Sequence, residues 1–334
     1  LISLSDNLNA DPLPWLLEED PENPSIRYFA LRDLQDKSPA SAEVRKAQKA
    51  IMESGPVPKI LDAQDPEGFW VKPGGGYSPK YQGTVWQIIL LAELGADPED
   101  ERVKLGCEYL LSHSIAANGA FSVHPKPVPS GAIPCLNGNL IFALQKLGFG
   151  DDPRVKEAVK WQVEAIMGEG DFQYLKSGTT GPGFGCSANG AQPCAWGANK
   201  VLKAFDLIPE TERTTNINRA IQIGVDLLFS RDPAEADYPF SGRVSSTWKK
   251  FGFPLSYWSD ILETTAILVN LGYEQDPRLE NAYQLILGRQ DDEGRWKLEN
   301  TMNRMWFEVE KKKEPSKWIT LRALRVLKKA KSHN

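Results

Sequence analysis

The stretch "ELGADPEDERV", residues 93–103, reads as the end of one helix, a tight corner and the start of the next. Gly95 is free to take the left-handed conformation that closes a helix. An Asp-Pro pair then supplies a capping carboxylate and a proline, which is tolerated in a first turn because its missing N–H has no intrahelical partner there. The same phrase returns as "KLGFGDDPRV" (146–155) and "NLGYEQDPRL" (270–279), and in weaker form as "DLIPETERTTNINRA" (206–220). The period is roughly 55 to 65 residues, the range of repeated supersecondary units.

A second phrase alternates with the first. "QDPEGFW" (64–70) recurs as "QDDEGRW" (290–296), with "NGAFS" (118–122) and "GEGDFQY" (168–174) as eroded copies. Its acidic-Gly pair predicts a turn followed by an aromatic that packs. Laid end to end, the phrases predict an apolar helix series near 25–35, 81–94, 135–147, 194–207, 257–271 and 316–329. A more charged series falls near 42–53, 100–113, 154–167, 216–230 and 278–289, with 56–63 as a short extra helix. An inner ring of buried helices inside an outer amphipathic ring buries both. No segment shows a useful two-residue period. The expectation is an all-α chain, an α/α toroid of the (α/α)6-barrel kind. It has six inner and five to six outer helices in one domain over 25–330, an N-terminal extension over 1–24 and a tail over 331–334.

With 41% hydrophobic and 25% charged residues among 334, the chain can bury a sizeable core. A formal net charge of -5 argues against nucleic acid as partner. No apolar run reaches the ~18 residues of a membrane-spanning helix, and the N-terminus lacks the pattern of a signal peptide. Four cysteines in a chain of this length are no disulfide framework, so a reduced, cytoplasmic setting is expected. Oligomeric state is left open.

The Gln-x-x-x-Gly-x-Trp phrase at Gln64–Trp70 and Gln290–Trp296, set between helix pairs, resembles the QW-type repeat of the squalene cyclase and protein prenyltransferase superfamily. "DDEGRWKLENTMN" and "PSKWITLRALRVLK" resemble the ending of a bacterial squalene-cyclase-like group to which no one activity attaches. The resemblance implies an α/α toroid and a small hydrophobic substrate. It does not carry over the DxDD acid of the cyclases or the zinc-ligand pattern of prenyltransferase β subunits, which this chain lacks.

Aligned by their Leu-Gly endings, the inner helices place Gly83, Cys135, Cys194 and Asp260 at one height of the ring. Unpaired N–H groups and the helix dipole there favour negative charge, so a lowered thiol pKa is expected. Cys186, in the Gly-rich loop before Cys194, can reach the same mouth, whereas Cys107 sits inside an outer helix. The reading is a terpenoid-class enzyme, a cyclase, isomerase or dehydratase, working by acid–base chemistry in a central cavity. Asp260 is then the proton donor, Cys135, Cys194 and Cys186 are acid–base or covalent groups, and Tyr81, Trp86, Trp196, Tyr257, Trp258 and His124 contact substrate. Two alternatives stand beside it. One is a zinc-thiolate site of Cys135, Cys186, Cys194 and His124; the other is a non-catalytic binder of hydrophobic ligands. Zinc aside, no cofactor is expected.

Overall fold

The computed structural model describes residues 7–169 and 180–331. Among these are thirteen α-helices. A short α1 (Leu13–Leu16) precedes α2 (Pro24–Phe29), which runs on through a π-helical turn, Ala30–Leu34. The remaining inner helices are α5 (Thr84–Leu94), α7 (Pro134–Lys146), α9 (Ala195–Asp206), α11 (Ile261–Asn270) and α13 (Lys317–Lys331). Outside them lie α3 (Ala42–Glu53), α4 (Pro56–Asp62), α6 (Glu101–His113), α8 (Pro153–Met167), α10 (Thr215–Leu228) and α12 (Glu280–Leu287). Two-residue strands form two small ladders in the connections.

Burial separates the two rings. Every residue of α5 except Glu93 is buried, while α3 buries only Val44, Ala47 and Ile51 along one stripe. Inner helices pack in the order α5, α7, α9, α11, α13, and α13 then meets α2 and its π turn. Ser25 Oγ donates to Leu94 O at 2.6 Å and joins α2 to α5, which closes the ring. The seam between last and first helices carries Trp318, stacked on Phe253 at 3.8 Å, with its Nε1 donating to Asn23 Oδ1 at 3.1 Å. No helix among the described residues is long and apolar enough to cross a membrane.

The corner phrase folds as its chemistry predicts. Gly95, Gly148 and Gly272 all have positive φ. Asp152 and Asp276 accept from the N–H two residues on, at 2.8 and 3.0 Å. In the first copy the cap slips to Asp100, which accepts from Arg102 N at 2.9 Å. Asp97 instead folds its own turn, accepting from Glu99 N.

The two QW phrases are built alike. Trp70 and Trp296 are fully buried, and their indole N–H groups donate to Ile60 O and Ile286 O at 2.7 and 2.6 Å. Their backbone N–H groups donate to Thr84 Oγ1 and Thr320 Oγ1, in the first turns of α5 and α13. Each phrase therefore pins an outer helix to the inner helix that follows. The eroded copy keeps the device in altered form: Phe121 is buried and its N–H donates to Asn137 Oδ1 of α7 at 2.8 Å. In the other eroded copy, residues 170–174 lie outside the described residues.

The Pro-Cys-x-x-Gly phrase shared by α7 and α9 is explained by packing. A Cβ at Gly138 would lie 2.4 Å from Lys200 C, and one at Gly197 would lie 2.9 Å from Pro134 Cβ. Glycine at both positions lets the two inner helices approach backbone to backbone, closer than any side chain permits.

Candidate functional site

All inner helices point the same way, so the ring has two unlike mouths. At their C-terminal ends the corners are short. At their N-terminal ends the long connections gather, at 63–83, 114–133, 180–194, 229–260 and 288–316 among the described residues. Of nine non-glycine residues with positive φ among the described residues, eight lie in these connections, including the bulky Tyr81 and Phe184. Backbone held in that region is costly and concentrates where a surface must be shaped for a ligand.

Three of the expected thiols meet at this mouth. Residues 184–194 fold back on themselves: Cys186 N donates to Gln192 O, and Cys194 N to Phe184 O at 3.0 Å. That pairing turns Cys186 and Cys194 to the same face. The Cys194 S–H, acting as donor, favours the Cys186 thiolate and holds its pKa down to about 7. Cys194 is correspondingly pushed well up, by that same bond and by burial. Cys135 lies close enough to both to feel their charge, and burial pushes it up to about 12. It nevertheless keeps some accessible surface. A lowered pKa was expected at the helix starts; it occurs instead at the loop cysteine, because the bond to Cys186 and then burial outweigh the helix terminus at Cys194, and burial does so at Cys135.

An aromatic cage adjoins the thiols. Trp86 packs against Tyr81 (5.0 Å), Tyr257 (5.3 Å) and Tyr77 (5.4 Å), and Tyr81 against Trp258 (6.4 Å). The Lys80 ammonium stands 5.9 and 5.8 Å from the Tyr77 and Tyr257 ring centres. The Tyr257 hydroxyl is buried beside that of Tyr77, and burial, with Cys135 and Tyr77 next to it, pushes its pKa well up. The indole N–H groups of Trp258 and Trp196 are buried and unpartnered. Trp196 stacks on Phe240 at 4.3 Å, next to Trp248, on the α9 side of the mouth.

Two expected residues are placed otherwise. Asp260 is fully buried, and its carboxylate contacts are an arginine and backbone N–H groups. Its carboxylate takes Arg322 Nη2 and Nη1 at 2.8 and 2.9 Å, and caps α11 by accepting from Glu263 N at 2.7 Å. Gly252 N adds a fourth bond at 2.9 Å. Because Asp260 is the cap, α11 starts at Ile261 and residues 257–260 are not helical. His124 is exposed in its loop, and its backbone, not its ring, bonds to Ser122 Oγ. With His124 in solvent and the thiols buried, the zinc set Cys135, Cys186, Cys194 and His124 is not assembled. No group of three His, Cys, Asp or Glu among the described residues is arranged to hold a metal ion.

Sequence reasoning passed over Tyr77 and Lys80, which no motif marks, and the charged layer across the ring axis. There Lys200 of α9 donates to both oxygens of Glu263 of α11, at 2.7 and 2.6 Å, with both side chains nearly inaccessible. Lys200 in "WGANKVL" and a lone Glu in "ILETTAILVN" were the available signal, since buried charges come in pairs.

No family model and no curated protein matches the chain. Among solved structures it is similar to the type II terpene cyclase MstE from Scytonema. A variant with geranylgeranyl dihydroxybenzoate bound shows 15% identity and a TM-score of 0.48, covering 98% of this chain and 97% of that one. The apo form shows 15% identity and a TM-score of 0.45 over 99% of each chain. A protein from Actinoplanes gives 14% identity and a TM-score of 0.43, over 98% of this chain and 97% of that one. At this distance the likeness is one of shape, and the site must be argued from its own residues.

The thiols differ enough to be told apart in solution. Native protein treated with iodoacetamide is expected to react first at Cys186, with a rate rising about tenfold from pH 6 to pH 8 as the thiolate forms. Cys107, pushed up to about 12 by burial in α6, is expected to stay unmodified. Peptide mapping reads the order; reaction first at Cys107, or a rate flat with pH, contradicts the assignment.

Proposed function

We propose that the N-terminal mouth of the ring is the active site of an enzyme acting on a hydrophobic, isoprenoid- or steroid-like molecule by acid–base chemistry of the isomerase or lyase type. The observation that carries this reading is the meeting of three thiols with an aromatic cage that holds a buried tyrosine hydroxyl. Cys186, with a pKa near 7, is the group suited to take a proton or attack an electrophilic carbon at neutral pH. Cys194 and Cys135 stay protonated and are its partners for returning a proton. Tyr257 offers a donor to a substrate oxygen, and the faces of Trp86, Tyr77 and Tyr81 suit developing positive charge. Asp260 enters as a positioning residue that fixes Arg322 and the start of α11.

The test is incubation with a panel of acyclic and cyclic isoprenoid alcohols, followed by product analysis. Conversion that falls ~10²–10⁴-fold in Cys186→Ser supports the reading. Saturable binding with no conversion by any member would make the chain a ligand-binding toroid instead.

A further inference from the structure

The opposite mouth holds a second site. A cavity of about 530 Å³ opens among the last turns of α5, α7 and α9 and reaches inward to Glu263 and Trp318, in the first turns of α11 and α13. Phe29, Phe142, Phe253, Leu255, Ile267 and Trp318 make its apolar wall. Four lysines line it, and three are engaged. Lys203 donates to Glu93, Lys328 to Asp36, and Lys329 to Asn270 Oδ1 at 3.2 Å. The fourth, Lys146 at the end of α7, has no carboxylate within ion-pair distance among the described residues, although its side chain is partly buried. The charges facing it are Arg32 and Asp33 from the turn after α2, Glu93 from α5 and Arg325 from α13. Asp33 is already shared between Arg32 and Arg325.

We propose that Lys146 is a carbonyl-reactive amine, and that this cavity takes an apolar aldehyde or ketone as a Schiff base. The geometry is that of an activated lysine: a partly desolvated amine against apolar walls, faced by Arg32 and Arg325 and in ion-pair contact with neither Asp33 nor Glu93. Burial, then Arg32, bring its pKa down to about 8, so a useful fraction is the free amine near neutrality. The nitrogen lone pair attacks the carbonyl carbon and forms a C–N bond while the oxygen takes a proton. Loss of that oxygen as water, with a proton from nitrogen, leaves the C=N bond. Lys146 ends the helix whose first turn holds Cys135, about 16 Å away along α7, so its reaction with a carbonyl stands or falls independently of the proposed function.

The experiment uses the whole chain, citral as the aldehyde and cyanoborohydride to reduce the imine, with the adducts mapped by peptide mass. One adduct at Lys146 is expected, at least ~10-fold above the exposed Lys72 and Lys126. Labelling should rise as pH passes through about 8, because the free amine is the reactant. Lys146→Arg keeps the cation and should lose the adduct with an unchanged circular dichroism spectrum and melting temperature. Labelling spread evenly over surface lysines, or unchanged in Lys146→Arg, overturns the proposal.

Discussion

Asp260→Ala is expected to lower folding stability by about 3–5 kcal/mol, because it strands the Arg322 guanidinium in a buried site. The substitution also leaves Gly252 N and Glu263 N without their acceptor. Breaking a buried pair costs more than the pair contributes, since the remaining charge keeps its desolvation penalty. The control is a double variant, Asp260→Asn with Arg322→Met, which removes both charges while leaving a side chain able to cap α11. Urea unfolding should show the double variant recovering most of the loss. If Asp260→Ala unfolds at the wild-type midpoint, the ion pair is not holding α11 to α13.

Trp296→Ala and Trp70→Ala should each cost about 3–5 kcal/mol, the range for deleting a large buried aromatic. Part of the loss is a cavity, because the indole fills the wedge between an outer helix and the next inner one. The rest is the orphaned carbonyl of Ile286 or Ile60, which loses its indole donor. Phenylalanine at either site should recover much of the packing and none of the hydrogen bond. Equal stability of the Ala and Phe variants would show that burial of the ring is not the source of the effect.

The helices were legible because their ends carry local chemistry. A glycine with positive φ and an aspartate that caps two residues on are signals that need no tertiary structure, and they repeat three times in this chain. Lateral partners leave no such mark. Asp260 looks the same in sequence whether it faces a cavity or an arginine, and Arg322 lies 62 residues away. The meeting of Cys186 with Cys194 was within reach of reasoning, since one short loop joins them. Their opposite pKa shifts depend on which is deeper and which donates. Lys146 was harder still. A lysine in a last helical turn ordinarily complements the helix dipole. Only the curvature of the closed ring turns this one toward the axis and brings Arg32 and Arg325 against it.

The seam between α13 and α2 sets the order in which the molecule can assemble. Each corner joins helices that are neighbours in the chain, so helix pairs can form early with little loop entropy to overcome. The contact between Trp318 and Asn23 spans 295 residues and can reward the chain only after every pair is in place. Ring closure is therefore the late step and the first to fail. Trp318→Leu should speed unfolding while leaving the refolding rate nearly unchanged, whereas Trp70→Ala should slow refolding as well. Stopped-flow traces in urea distinguish the two, and a Trp318 variant that chiefly slows refolding would place closure early instead.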